Sequence, residues 1–178
     1  MTDHPHAPPP AAAAPDAAPD EAGPELALRR SLPPDPGPLA RLLSDPEDLT
    51  LANPNAAHPF DPVEWQEKWL GDPDDAAFYV TDGQGREVGF FALRVGVGPE
   101  VRHLAYLCLD PAHRGGAGRR MTELVREAAE ALDALTVTLK VELDNAPALN
   151  AYRAAGYEEL SRRRGMATLR LDLDDLAA

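Results

Sequence analysis

The stretch Leu107-Cys-Leu-Asp-Pro-Ala-His-Arg-Gly-Gly-Ala-Gly-Arg-Arg-Met121 decides how this chain is read. An apolar run ends at Asp110-Pro111, a glycine-rich turn follows, and from Gly118 the apolar residues fall into helical step. Met121, Leu124, Val125, Ala128, Ala129 and Leu132 lie at i, i+3, i+4, i+7, i+8 and i+11, one buried face of a helix. Gly115, Gly116 and Gly118 remove side chains where a backbone must approach a ligand closely. The helix start offers unpaired N–H groups and the positive end of a dipole, which together suit an anion. Cations in a first helical turn oppose that dipole, so Arg119 and Arg120 are easier to understand with an anion between them. The competing reading is a softened connection with solvated arginines. No Gly-Lys-Ser/Thr follows, so this is not a Walker loop.

Working outward, Leu135, Val137, Leu139, Val141 and Leu143 alternate with polar residues, a strand with one face in the core. A helix from about Pro147 to Ala155 stops at Gly156, and Tyr157–Arg162 and Met166–Leu173 read as a final strand pair. Upstream, Val101–Leu109 is a strand. Phe78–Asp82 and Val88–Val97 form a hairpin about Gly83-Gln84-Gly85, and the second strand there excludes a dinucleotide fingerprint, which needs a helix. Earlier still, Leu26–Leu32 is a short strand and Leu39–Leu43 a helical stretch. A second helix has Asp61 as N-cap, Pro62 at its first position and Glu64 at the capping-box position, with Phe60 and Trp65 as a staple and Gly71 as its stop. Trp65 and Trp69 share a face by spacing. The order β, α, α, β, β, β, α, β, α, β, β predicts a mixed α/β fold: a mostly antiparallel, twisted sheet of about seven strands flanked by about four helices.

The chain has 178 residues, 44% apolar and 26% charged, which fits one globular domain and excludes a wholly disordered one. Eleven of its 19 prolines precede Leu39. Residues 1–24 hold no aromatic, no leucine and no periodicity, so they are expected to be a disordered Pro/Ala-rich tail before a domain at 25–178. The alanine-rich start has no basic region and is not expected to be a signal peptide. The single cysteine, Cys108, rules out an internal disulfide and fits a reducing, cytoplasmic setting. A net charge of −13 argues against nucleic acid, and no apolar run approaches the roughly 20 residues of a membrane span. If Met1 is removed, Thr2-Asp3-His4 offers a square-planar set for Cu(II) or Ni(II), read as adventitious, so no functional metal is expected.

The glycine loop is followed by Asn145-x-x-Ala148-x-x-x-Tyr152-x-x-x-Gly156-Tyr157. By the residues alone, Asn145 is a helix cap and Tyr152 a core tyrosine beside small alanines. Together with the Pro111-x-x-Arg114-Gly115 loop, the segment 25–178 resembles the GNAT superfamily of acetyl-CoA-dependent N-acetyltransferases. The resemblance implies acetyl-CoA as co-substrate, a primary amine of a small molecule or peptide as acceptor, direct attack without a covalent enzyme intermediate, and a homodimer as a common assembly. It places the pyrophosphate on Arg114, Gly115, Gly116, Ala117, Gly118 and Arg119, the pantetheine arm on Asn145, and the proton for the leaving thiolate on Tyr152. It assigns polarisation of the acetyl carbonyl to the Leu109 N–H, and His103 falls near the position of the family's general base, with Asp110 and Tyr106 as other candidates. Cys108 is not expected to be a nucleophile. The loop departs from the family spacing: three residues before Gly116 stands His113, with Arg114 only two before it. A non-catalytic acyl-CoA-binding module with the same loop is the alternative.

Overall fold

In the computed structural model, which describes residues 25–173, seven strands form one sheet in the order β1-β2-β3-β4-β5-β7-β6. They are β1 (Ala27–Ser31), β2 (Ala76–Thr81), β3 (Glu87–Gly98), β4 (Val101–Leu109), β5 (Thr136–Glu142), β6 (Glu158–Arg163) and β7 (Met166–Asp172). Every neighbouring pair is antiparallel except β4 and β5. The predicted mixed, mostly antiparallel sheet of seven strands is present. The described residues contain five α-helices: α1 (Leu39–Leu42), α2 (Pro46–Ala52), α3 (Pro62–Glu64, continued by a π-helical turn Trp65–Trp69), α4 (Gly118–Ala131) and α5 (Ala146–Ala154). The predicted tail, and with it Thr2-Asp3-His4, lies outside the described residues.

Helix α2 is absent from the sequence reading. Its start is nonetheless well marked, because Asp45 accepts from the N–H groups of Glu47 and Asp48 and Pro46 takes the first position. The same grammar identified α3, where Asp61 accepts from the Val63 N–H. Glu64 does not complete a capping box. Its carboxylate instead accepts from the Ala57 N–H at 3.1 Å and pins the preceding loop. The Phe60–Trp65 contact does form, with ring centroids 5.6 Å apart.

Helices α4 and α5 cover one face of the sheet, where Phe91, Leu93, Leu104, Leu124, Val125, Leu139 and Leu169 are buried together. Helices α1, α2 and α3 cover the other face, but only over β2, β3 and β4, packing Leu39, Leu49 and Trp65 onto Tyr79, Phe90 and Tyr106. On that face Thr138 pairs with Arg170 and Lys140 with Thr168 across β5 and β7, and among the described residues none of the four belongs to the core under α1–α3.

Two irregularities shape the centre of the sheet. First, β4 and β5 pair only from Val101↔Thr136 to His103↔Thr138, although β4 continues to Leu109 and β5 to Glu142. The two parallel strands therefore splay apart towards their C-terminal ends. Second, the β3–β4 register jumps between Phe90↔Cys108 and Ala92↔Ala105, so Tyr106 and Leu107 together oppose Phe91. This is a β-bulge, and Tyr106 takes φ = 59° within it. A left-handed conformation costs a tyrosine roughly 1–2 kcal/mol. Trp65 and Trp69 hold the ring, with centroids 5.2 and 6.3 Å away. The bulge reverses the strand's inside–outside alternation. Ala105 and Tyr106 both face the α1–α3 layer, and Leu107 and Leu109 face α4 and α5.

Candidate active site

The site lies at the splayed ends of β4 and β5. Beyond the last rung at His103 and Thr138, the inner edge of β4 has no strand partner. The Asp110 N–H donates to the Val88 carbonyl at 2.6 Å, so it points towards β3. Backbone groups alternate along a strand, and the Leu109 N–H consequently points the other way, into the splay. Its carbonyl points there too, and it accepts from Arg114 Nε at 2.9 Å. A free amide aimed into a gap is the donor that a developing oxyanion requires.

From β4 the chain makes a 3₁₀ turn, Pro111–His113, and enters the glycine loop. Gly116 adopts φ = 75°, a conformation open to glycine. Ala117 is the N-cap of α4 and supplies no side-chain hydrogen bond. Among the described residues, no partner accepts from the N–H groups of Gly115, Gly116, Ala117, Gly118, Arg119 or Arg120; the first engaged amide is Met121, which donates to Ala117. This run of open donors at the start of a 14-residue helix forms a cradle fitted to phosphate oxygens. A groove of about 480 Å³ between α4 and α5 begins at Arg119 and is lined by Thr122, Arg126, Ala151 and Ala155.

The side chains of the loop divide between the cradle and the rest of the fold. Arg119 is 88% exposed at the cradle and, among the described residues, pairs only with Glu123, at 3.4 Å. Arg120 turns away, bonding Glu123, Glu127 and the Leu26 carbonyl. The Arg114 guanidinium is held between the Leu109 carbonyl and Asp48 of α2, at 2.8 Å from the carboxylate. Asn145 caps α5, accepting from the Ala148 N–H at 3.2 Å.

His103 stands at the vertex of the splay, its Nδ1 2.9 Å from Thr138 Oγ1. Burial, and then the charges of Lys140 and Arg94, hold its pKa below the ordinary histidine value, so the imidazole is neutral at neutral pH. The other two candidate bases are committed elsewhere. Asp110 accepts from the Ala112 N–H at 3.0 Å and pairs with Arg41 at 3.6 Å. Burial raises the Tyr106 pKa and keeps that phenol protonated. Burial also pushes the Cys108 thiol up to about 12, which disfavours the thiolate a nucleophile needs.

Tyr152 belongs to the core on the opposite side of the sheet, 8% exposed, with its ring edge-on to Tyr157 at 5.3 Å. Burial pushes its pKa up to about 12. His103 and Tyr152 thus lie on opposite faces of the sheet, and the β4–β5 pairing that would close the sheet beyond His103 is missing. The sequence reading did not single out Arg41 and Asp48, whose ion-pair partners, Asp110 and Arg114, are more than sixty residues away.

The family model of the acetyltransferase (GNAT) family matches residues 41–157. The chain belongs to the GNAT acetyltransferase family, whose members use acetyl-CoA. An uncharacterized N-acetyltransferase of Methanocaldococcus jannaschii is 31% identical over 103 residues, 54% of this chain and 46% of that protein, so the match spans less than half of the relative. Among solved structures, spermidine N-acetyltransferase from Vibrio cholerae in complex with CoA and spermine shares the fold with a TM-score of 0.64 at 19% identity, covering 82% of this chain and 93% of that one. The GNAT domain of S. lividans PAT shares it with a TM-score of 0.66 at 18% identity, covering 82% and 89%.

Proposed function

We propose that this protein transfers the acetyl group of acetyl-CoA to a primary amine of a small molecule or peptide, by direct attack with both substrates bound. The observation that carries the reading is the run of open amides from Gly115 to Arg120, lying beside a splay into which the Leu109 N–H points. The residues fit the co-substrate: the cradle suits the pyrophosphate, Arg119 adds a solvent-facing charge, and Asn145 stands where the resemblance places the pantetheine arm. Acetyl-CoA supplies an acetyl group activated as a thioester.

The chain's own groups then divide the work. The acceptor enters from the α1–α3 side, past Trp69, Tyr106 and the uncovered polar face of β5. Arg94 and Lys140 lie close enough to depress the His103 pKa, and they act in the same sense on an ammonium bound there, favouring the nucleophilic free amine. His103 accepts the amine proton as the C–N bond forms. The Leu109 N–H donates to the carbonyl oxygen as its charge grows. Tyr152, from the other face, donates to the sulfur as the C–S bond breaks. Holding the two reactants on opposite sides of one opening supplies the proximity term, which is large for a bimolecular reaction.

A cytoplasmic location and a homodimer belong to the same reading. The spermidine acetyltransferase shows a small-molecule amine on this fold, and we extend that acceptor class, not that substrate, to this chain. The test is release of free thiol from acetyl-CoA across a panel of amines, run beside CoA binding. Binding without thiol release for every amine would replace the enzyme with a non-catalytic acyl-CoA-binding module.

A further inference from the structure

We propose that Asp48 and Arg114 form a positioning pair for acetyl transfer: Asp48 holds the Arg114 guanidinium on the Leu109 carbonyl and thereby aims the Leu109 N–H into the splay. The inference rests on the acetyltransferase reading of the site. Two contacts carry it. Arg114 Nε donates to the Leu109 carbonyl at 2.9 Å, and the same guanidinium lies 2.8 Å from Asp48 Oδ1. The Asp48 side chain is 13% exposed and that of Arg114 47%, so the carboxylate is shielded from solvent while the guanidinium stays half open to it, and the pair is held by its two contacts more than by burial.

The need for such a pair follows from the topology. The β4–β5 ladder ends at His103, six residues before Leu109, and no strand partner orients the last peptides of β4 on the gap side. Within one extended residue the N–H and C=O point the same way, so a grip on the Leu109 carbonyl orients the Leu109 amide. The opposite side is pinned separately. Asp110 N–H bonds Val88, and Arg41 of α1 reaches both the Asp110 carboxylate and the Glu87 carbonyl. Both grips come from the α1–α2 layer, on the acceptor side, and close on the end of the donor strand. Arg114 therefore acts through Leu109 and joins the two halves of the site.

The rival role for Arg114 is direct contact with the pyrophosphate, and the donor can be chosen to separate the two. Acetyl-pantetheine carries the thioester but lacks the nucleotide and pyrophosphate. Asp48→Asn, Arg114→Gln and Arg114→Lys would be compared with wild type in single-turnover acetylation at saturating donor, using acetyl-CoA and acetyl-pantetheine. Melting temperature serves as the folding control. Misaiming one oxyanion donor should slow the rate about tenfold or more, towards the 10²–10³ seen when such a donor is lost. The expected result is that slowing with both donors, little change in affinity for acetyl-CoA, a double variant no slower than either single one, and recovery in Asp48→Glu. Infrared difference spectra of bound ¹³C-acetyl donor supply a readout independent of turnover. The carbonyl stretch should be lowered in wild type and return towards its free value in Asp48→Asn. A defect confined to acetyl-CoA affinity and absent with acetyl-pantetheine would make Arg114 a phosphate ligand and overturn the proposal. An unchanged carbonyl stretch in Asp48→Asn would overturn it as well. If the stretch responds as expected but no amine is acetylated, the pair stands and the transferase reading fails.

Discussion

Replacing Tyr152 with phenylalanine removes one hydroxyl and keeps the ring that packs edge-on to Tyr157. The structure sets the size of the expected effect. With its pKa pushed up to about 12, the phenol is protonated in every molecule near neutral pH, so the donor is always loaded. An ordinary thiol ionises near 8.5, so full proton transfer to a free thiolate would be uphill by about three units. The hydroxyl then helps chiefly by hydrogen bonding to sulfur as charge builds in the transition state. General acid catalysis is typically worth about 10²–10⁴, and this mismatch puts the loss at the low end, about 10². It should fall on the rate at saturation, with acetyl-CoA KM little changed. Tyr157→Phe is the matched control. Among the described residues the Tyr157 hydroxyl is buried without a partner, so deleting it removes an unsatisfied group and should stabilise the fold by about 1 kcal/mol, a rise of about 2–4 °C in Tm, with the rate intact. Calorimetry and steady-state kinetics on both variants read the contrast. A Tyr152→Phe rate within twofold of wild type, where chemistry limits turnover, would refute the assignment. Lower stability or weaker CoA binding with an intact rate would leave Tyr152 as a packing residue.

The pH profile of acceptor kcat/KM should fall on the acid side with a midpoint below 6.5. His103 is active only when neutral and its pKa is depressed, and His103→Gln should flatten that limb; a midpoint above 6.5 would contradict the environment described. Gly116→Val forces a branched side chain into φ = 75°, and Gly118→Val crowds Ala151, which an added Cβ would already meet at 3.4 Å. Each should weaken CoA binding by more than about tenfold in titration calorimetry, whereas Arg119→Ala, losing one solvent-facing charge, should cost about fivefold. Trp65→Ala empties a fully buried site beneath the bulge and should cost about 3–5 kcal/mol in denaturant unfolding.

What the sequence determined by itself is local. The period of the apolar residues from Met121 to Leu132 specifies α4, and the alternation from Leu135 to Leu143 specifies β5, because each pattern makes one face of its own element insoluble whatever the surroundings. Gly116 and Gly118 mark the cradle because only a residue without Cβ leaves that backbone open. Helix α2 is equally legible in Asp45-Pro46-Glu47, where an N-cap aspartate precedes a proline at the first helical position. The tertiary structure decided what depends on groups far apart in the chain. No glycine announces the bulge: a tyrosine is held at φ = 59° by tryptophans some forty residues earlier. Arg114 is paired with Asp48, 66 residues away, a contact that no local pattern announces. The splay itself is a property of neither strand. β4 and β5 are each continuous, and only their pairing stops at His103 and Thr138. His103 borders that interruption and Tyr152 lies on the other face, and two side chains on opposite sides of a sheet can serve one reaction only where its hydrogen bonds are missing.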